Sequence, residues 1–359
     1  MSPLTVRAVD VGYGHIKLTT GRDPESGLIQ TDSFPSKSPV LLKSAVTHKV
    51  VTTRDAAIIP IGDALFEVGK EVSQAMSADY AGDVLDTDFP LSAAYAARLY
   101  GALNYMYKGL PHHTIDYLVL GLPLSTIRQH ADKLADLFVG EKTINAQGHT
   151  VQIKHVEVFP QPLGSYMAYL ATAPVVPGKK MPMALVIDPG YNTVDWYVIR
   201  GTTPTDVKSG ALNRGMGALL TAKAEAMLAP VAQHGCAEVQ GGTVAELVRH
   251  LDARMSSGEP FTMFNRVIDI DRYKKVGLTI IEEAVQAVKN SIGLGGEIDV
   301  IIMTGGGAQT YADAVRRKFP QHYIEILAEP AFANARGFHF LGERLARSAE
   351  RAMANTVPA

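Results

Sequence analysis

Two short segments of the chain each join a carboxylate to a glycine-containing turn. Residues 5–18 read TVRAVDVGYGHIKL and residues 184–198 read ALVIDPGYNTVDWYV, so that Asp10 and Asp188 hold the same place, 178 residues apart. Glycines at a strand end let a phosphate approach the backbone, whose N–H groups then point at it. A carboxylate beside them suits Mg²⁺, which proteins bind through oxygen ligands and retained water. Together the segments predict a polyphosphate–Mg²⁺ site made from both halves of the chain.

Each segment predicts a β-hairpin. An apolar first strand ends at the aspartate, the turn is made by residues 12–14 or 190–192, and an alternating strand follows. A third glycine run, Gly305–Gly307, comes directly after a buried strand at residues 300–303. Two facing turns would hold the phosphates between them, with the aspartates below. The alternative is that these are ordinary tight turns in which Asp acts as a turn former.

The elements that position these residues are predicted to form two related α/β domains. A chain of 359 residues exceeds the size at which one core usually keeps growing, and the repeat places one hairpin at the start of each half. We expect domain I at residues 1–172, with a small β-rich insertion at about 35–80. Domain II is expected at residues 173–359, with C-terminal helices at about 331–352 packing back toward domain I.

Apolar periodicity predicts the remaining elements of this α/β pattern. A buried strand is expected at residues 117–120. The expected helices are residues 91–108, 125–138, 162–171, 211–229, 244–255 and 273–293.

The composition restricts the possible partners. A formal charge of −2 and 19% charged residues argue against strong direct binding of nucleic acid, which needs clustered Lys and Arg; any DNA contact is expected to pass through a partner. The single cysteine, Cys236, cannot form an internal disulfide, which fits the reducing cytoplasm. It is expected to pack in a core. No apolar run reaches the roughly 18 residues of a membrane helix, so no membrane contact is expected.

Five motifs resemble, in their order along the chain, those of the actin, Hsp70 and sugar-kinase superfamily. The resemblance covers nearly the whole chain and is greatest to the plasmid-partitioning branch, called ParM or StbA, and to archaeal actin-like proteins. It implies an actin-like (ribonuclease H-like) two-domain fold with a nucleotide cleft between duplicated halves. The motifs are the first phosphate motif (residues 10–14 with Lys17), a first connecting helix (159–165), the second phosphate motif (188–195), an adenosine motif (304–308) and a second connecting helix (329–337).

The resemblance also implies roles for individual residues. Gln161 would orient the attacking water, with Asp10 and Asp188 holding Mg²⁺ through its water shell; these three are the expected catalytic residues. For Lys17 the alternative is a solvent-facing strand lysine, and for Gln161 a helix-capping residue; Asp195 either supports the site or faces solvent. The residues expected to contact nucleotide are Gly12, Tyr13, Gly14, His15, Lys17, Gly190, Tyr191, Asn192, Thr193, Gly215, Gly305, Gly306, Gly307 and Gln309.

The activity that the resemblance implies is hydrolysis of ATP, with GTP as the other possible nucleotide and Mg²⁺ as the metal. In the resembled branch, subunits stack head-to-tail into nucleotide-dependent filaments that move plasmid DNA through a DNA-binding adaptor protein. The expected partners are therefore further copies of the chain and an adaptor. Two alternatives stay open: a nucleotide-sensing ATPase that does not polymerise, and a small-molecule kinase of the same superfamily.

Overall fold

The structure is a computed structural model of the chain. It describes residues 4–41, 54–72, 88–173, 180–230, 237–257 and 260–356. Cys236 and parts of the expected insertion, residues 42–53 and 73–80, lie outside the described residues.

The first half of the chain, up to residue 173, contains a sheet flanked by helices. The elements are, in chain order, β1 (Val6–Val11), β2 (His15–Arg22), β3 (Ile29–Pro35), β4 (Val40–Leu41), β5 (Ala56–Ile61), β6 (Ala64–Gly69), α1 (Ala93–Met106), β7 (Thr114–Leu122), α2 (Leu124–Phe138), β8 (Gly140–Thr143), β9 (Thr150–Pro160) and α3 (Gln161–Thr172).

The second half, from residue 180, repeats this plan. Its elements are β10 (Met183–Pro189), β11 (Val194–Arg200), β12 (Thr203–Pro204), β13 (Gly210–Leu212), α4 (Met216–Leu228), α5 (Val244–Ser257), β14 (Thr262–Met263), β15 (Arg266–Val267), α6 (Leu278–Ile292), β16 (Val300–Met303), α7 (Ala308–Lys318), β17 (Ile324–Ile326) and α8 (Ala333–Thr356).

The two main sheets share one strand arrangement. The first has the order β3-β2-β1-β7-β9-β8, and the second has the order β12-β11-β10-β16-β17, with β13 also paired to β11. In both, a hairpin strand (β1 or β10) is antiparallel to its partner and parallel to a strand from much later in the chain. The predicted duplicated α/β fold is therefore confirmed, whereas the domain boundary near residue 172 stays a prediction.

Helices α3 and α8 lie between the sheets and pack against each other. Ala8 of β1 and Val186 of β10 belong to one buried cluster with Tyr166 of α3 and Phe338 of α8. The next residues along the two strands, such as Val9, turn to the separate cores on the outer faces of the sheets. Both hairpin strands are thus covered on two sides, which explains why they read as continuous apolar runs.

The expected insertion forms a small sheet of order β4-β6-β5. Gly62, in a left-handed conformation with φ of 57°, makes the tight turn between β5 and β6. No helix in the described ranges is both long enough and apolar enough to span a bilayer.

Two predicted helices begin too early. Residues 211–229 were expected to be helical throughout, but β13 pairs with β11 and α4 begins only at Met216. The helix expected at 273–293 begins at Leu278, because Gly277 has a left-handed φ of 87° that no helix interior accepts. The other predicted helices and the strands at 117–120 and 300–303 are confirmed, with ends that differ by a few residues at most.

Candidate functional site

A cleft of about 390 Å³ lies where the carboxyl ends of the two sheets meet. Side chains and turns from both halves line it, which is the usual place for a ligand in an open α/β sheet. The predicted site residues that line the cleft are Asp10, Gly12, Tyr13, Gly14, His15, Lys17, Gln161, Asp188, Gly190, Tyr191, Thr193, Gly305 and Gly306.

The two hairpins present opposite charges at one repeated position. Asp10 is the register partner of Lys17 across β1 and β2, and Asp188 is the register partner of Asp195 across β10 and β11. The duplication therefore puts a lysine on one side of the cleft where it puts a carboxylate on the other. Each half contributes one aspartate at a strand end, but only the first adds a cation beside it.

Asp10 is buried and held by two side chains. The Gln161 side-chain amide donates a hydrogen bond to Oδ1 of Asp10 at 2.7 Å, and Nζ of Lys17 lies 3.9 Å from Oδ2. Helix α3 begins at Gln161, and Pro160 occupies the capping position without a side-chain cap. Gln161 thus faces the cleft rather than capping its helix, and Lys17, whose side chain is 19% exposed, does not face bulk solvent.

Asp188 is enclosed by α8 and by the glycine run that follows β16. The side-chain amide of Asn334, on α8, donates to Oδ2 at 3.1 Å. Gly305 lies so close that a Cβ there would collide with Oδ1. Burial raises the pKa of Asp188 to about 6; the charge of Asp10 adds to the rise, while Lys17 and the Asn334 amide oppose it. The charges of the two aspartates therefore interact across the cleft.

Asp195 faces the cleft and not the solvent. Oγ1 of Thr193 donates to its Oδ2 at 2.6 Å. Burial raises the pKa of Asp195 to about 7, with the charge of Asp188 adding to the effect and the Thr193 bond opposing it. Burial and then Asp195 also raise the pKa of the Tyr13 hydroxyl, which lies on the opposite turn.

The turn of the second hairpin is fixed from behind by the loop that leads into α4. The N–H of Gly215 donates to the carbonyl of Asn192, that of Met216 to Gly190 and that of Gly217 to Tyr191, at 3.1, 2.9 and 2.7 Å. These bonds leave the front of the turn directed at the cleft. At its tip the turn meets the first hairpin, because a Cβ on Gly14 would lie 2.9 Å from Cβ of Tyr191.

Four predicted contact residues do not line the cleft. Asn192 belongs to the turn but is exposed outside the cleft, and Gly215 lies behind the turn. The N–H of Gly307 is bonded to the carbonyl of Pro189 at 2.9 Å and so is not directed at a ligand. Gln309, in the first turn of α7, is exposed outside the cleft. Spacing in the glycine run could not reveal which of its members faces inward.

Several lining residues were missed because they come from elements with no glycine signal. Asn334 lies on α8, Asp252 on α5, and Tyr95 and Thr126 on α1 and α2. The Tyr95 hydroxyl is fully buried and has no hydrogen-bond partner among the described residues; burial and then Asp10 raise its pKa. Only Asn334 had a sequence signal, since it lies within the motif of the second connecting helix.

The charges of the cleft suit a polyphosphate bound together with a divalent cation. The described residues that line it include one lysine and four carboxylates, those of Asp10, Asp188, Asp195 and Asp252. An anion alone would be repelled by this surface. Within the described ranges, no three carboxylate, His or Cys side chains come close enough to ligate a metal. Mg²⁺ is a cation that proteins bind through one or two carboxylates together with water and substrate phosphates.

Comparisons with known proteins concern the fold of the chain. Residues 8–164 match the family model described as the N-terminal domain of actin-like proteins. The archaeal actin homologue Ta0583 has 20% identity and a TM-score of 0.69, with 95% of this chain and 100% of that chain covered; it is also solved in complex with ADP.

Two ParM structures are similar to about the same degree. Apo psk41 ParM has 19% identity and a TM-score of 0.65, with 97% of this chain and 100% of that chain covered. A 15-stranded ParM filament from Clostridium botulinum has 19% identity and a TM-score of 0.67, with 95% and 99% covered. No curated protein sequence matches the chain.

Proposed function

We propose that this chain, which has an actin-like fold, is an actin-like protein that binds ATP with Mg²⁺ in the cleft between its halves, hydrolyses it, and assembles into filaments that depend on the nucleotide. The observation that carries the proposal is the pair of hairpins in identical register, with their turns, Asp10 and Asp188 all lining one cleft. The ADP complex of a protein with the same fold supports a nucleotide as the ligand.

The phosphates would lie between the two turns. Backbone N–H groups on glycine turns meet phosphate oxygens without obstruction from a Cβ, and Lys17 adds a cation beside the first turn. Gly305 and Gly306 leave space at the second half for the rest of the nucleotide. We keep GTP as the alternative nucleotide.

Hydrolysis requires a water aligned with the terminal phosphate, and positioning contributes most of the catalysis of phosphoryl transfer. Gln161 begins α3 at the floor of the cleft and already binds Asp10. Its amide can orient a water without removing a proton, and Asp10 beside it keeps the amide in place. When bound, Mg²⁺ would neutralise phosphate charge; Asp10 and Asp188 are the residues that would hold it through water.

We propose that filament formation is controlled by the ligand that the two halves share. A nucleotide held by both turns favours the closed arrangement, and loss of the terminal phosphate removes contacts that join the halves. A head-to-tail contact that does not close into a ring produces a filament. A protein of the same fold forms a 15-stranded filament, which supports assembly by this chain. We further propose a cytoplasmic role in plasmid or DNA segregation through a DNA-binding adaptor.

Phosphate release tests the enzymatic part of the proposal. Purified protein is incubated with Mg²⁺ and either ATP or GTP, and released phosphate is measured with and without small-molecule acceptors. Release without any acceptor is the expected result, and Asp188→Asn should abolish it. Turnover that appears only when an acceptor is added would make the protein a kinase, and nucleotide binding without any turnover would refute the proposed hydrolysis.

A further inference from the structure

A buried chain of hydrogen bonds joins Asp188 to both helices between the sheets. Asn334 of α8 contacts Asp188 on one side and Ser165 of α3 on the other. Ser165 in turn contacts Thr304, the residue that follows β16. Ser165 and Thr304 are completely buried and Asn334 is 6% exposed, so each polar group in the chain needs its partner.

The hydrogen-bond donors fix which way the Asn334 amide points. Both the backbone N–H and the hydroxyl of Ser165 are directed at the same atom of Asn334, at 3.2 and 2.6 Å. A backbone N–H can only donate, so that atom must be the amide oxygen. The amide NH₂ is then left facing Oδ2 of Asp188 at 3.1 Å. Ser165 therefore determines that Asp188 receives a donor.

One face of α3 thus restrains both aspartates of the cleft. Gln161 and Ser165 are four residues apart on α3 and lie on the same face of the helix. Gln161 binds Asp10 directly, whereas Ser165 reaches Asp188 through Asn334. The first two turns of α3 are therefore connected to the carboxylate of each half.

The helices cross at a point where neither has a side chain. Gly164 and Gly337 face each other, and a Cβ on Gly164 would lie 2.6 Å from the carbonyl oxygen of Asn334. Because Ser165 and Asn334 flank this contact, any sliding of α3 along α8 changes the hydrogen bond between them. The orientation of Asp188 is thereby sensitive to how the two helices are packed.

We propose that Asn334 is a positioning residue for Asp188, and that Ser165 acts through it to make the orientation of this carboxylate depend on the crossing of α3 and α8. The inference rests on the proposed function, because its consequence is for the Mg²⁺-bound nucleotide. Asn334 does not itself reach the phosphates in this role. Its role is to fix the orientation of a carboxylate that would hold Mg²⁺ through water.

The test compares nucleotide affinity in Mg²⁺ with affinity in EDTA, using a fluorescent ADP analogue. In Asn334→Ala the affinity in Mg²⁺ is expected to fall about 10- to 100-fold, the usual effect of removing a group that orients a metal-binding residue, while the affinity in EDTA is retained. Ser165→Ala, which touches neither carboxylate, should show a smaller loss of the same kind. Asn290→Ala, an exposed amide on α6, is the matched control and should behave as wild type.

The outcomes separate this inference from the proposed function. Wild-type affinity in Mg²⁺ for both Asn334→Ala and Ser165→Ala overturns the positioning role but leaves the nucleotide site intact. If Asn334→Ala loses nucleotide affinity equally in Mg²⁺ and in EDTA and also has a lower unfolding midpoint, Asn334 is a structural residue. That result also overturns the positioning role. Failure of wild type and Asn290→Ala to bind the nucleotide at all refutes the proposed function, and the inference with it.

Discussion

Replacing Gly305 by alanine should destabilise the second half of the protein and disturb Asp188. Gly305 has a left-handed φ of 76°, which costs an alanine about 1 to 2 kcal/mol. Its Cβ would collide with Oδ1 of Asp188 and lie 3.0 Å from the carbonyl oxygen of Pro189. Overpacking of a well-packed site costs about 1 to 3 kcal/mol. Together these effects lower the free energy of unfolding by roughly 2 to 5 kcal/mol.

Gly306→Ala is a matched control one residue away. A Cβ on Gly306 meets nothing within 4 Å, and its φ does not lie in the left-handed region. Alanine at a compatible glycine position stabilises by about 0.4 to 1 kcal/mol, because it restricts the unfolded chain. The two variants should therefore shift stability in opposite directions.

Urea unfolding followed by tryptophan fluorescence measures this difference. The chain has one tryptophan, Trp196, which is 7% exposed in the core of the second half and therefore reports on the unfolding of that half. Gly305→Ala should unfold at a clearly lower urea concentration than wild type, and Gly306→Ala at an equal or higher one. Coincident midpoints for the two variants would refute the close packing of Gly305 on Asp188.

Three further substitutions test the rest of the site. In a phosphate-release assay, Gln161→Ala should lower kcat by about 100-fold with little change in KM, because a misplaced water reacts slowly. An unchanged kcat would show that Gln161 does not position the water. The raised pKa of Asp195, about 7, means that the folded state retains a proton that the unfolded state loses, so the contribution of this group to stability falls as pH rises from about 4 to 7. Asp195→Asn should therefore unfold at higher urea than wild type at pH 8 and at nearly the same urea at pH 4; equal midpoints at pH 8 would contradict the burial of this carboxylate. Gly337→Ala, whose Cβ would collide with the backbone of Gly164, should lower the unfolding midpoint strongly, whereas Gly109→Ala, which meets open space, should not.

The repeated hairpins could be predicted from sequence because their determinants are local. An apolar strand, an aspartate at its end and a glycine turn lie within about 14 residues of one another in each half. The turn type then fixes the register, which brings Asp10 opposite Lys17 and Asp188 opposite Asp195. The equivalence of Lys17 and Asp195 was within reach of the same comparison, since both lie seven positions after their aspartate.

The strand β13 before α4 could not be predicted from the sequence in the same way, although Gly215, the N-cap of α4, marks where that helix begins. Residues 210–212 are as apolar as the helix that follows, and only their pairing with β11 makes them a strand. A tertiary contact of this kind overrides local pattern. The break before α6 was more accessible, because Gly277 interrupts the expected helix and glycine commonly marks such positions.

The inner wall of the site depends on contacts between residues far apart in the chain. Asn334 and Asp188 are separated by 146 positions, and Ser165 and Asn334 by 169. Asn334 and Ser165 lie within the two connecting-helix motifs, but neither residue type indicates which side chain it contacts. Motif spacing also placed Asn192 and Gln309 at the nucleotide, although both are exposed outside the cleft, because spacing does not specify which face of a turn or helix meets the ligand.

The most direct test of the account is light scattering of the purified protein with Mg²⁺ and ATP, followed by negative-stain microscopy of the same sample. The account predicts that scattering rises with ATP, that filaments are visible, and that Asp188→Ala, which lacks one carboxylate of the cleft, gives neither. A wild-type protein that binds and hydrolyses ATP yet remains monomeric at high concentration would contradict it.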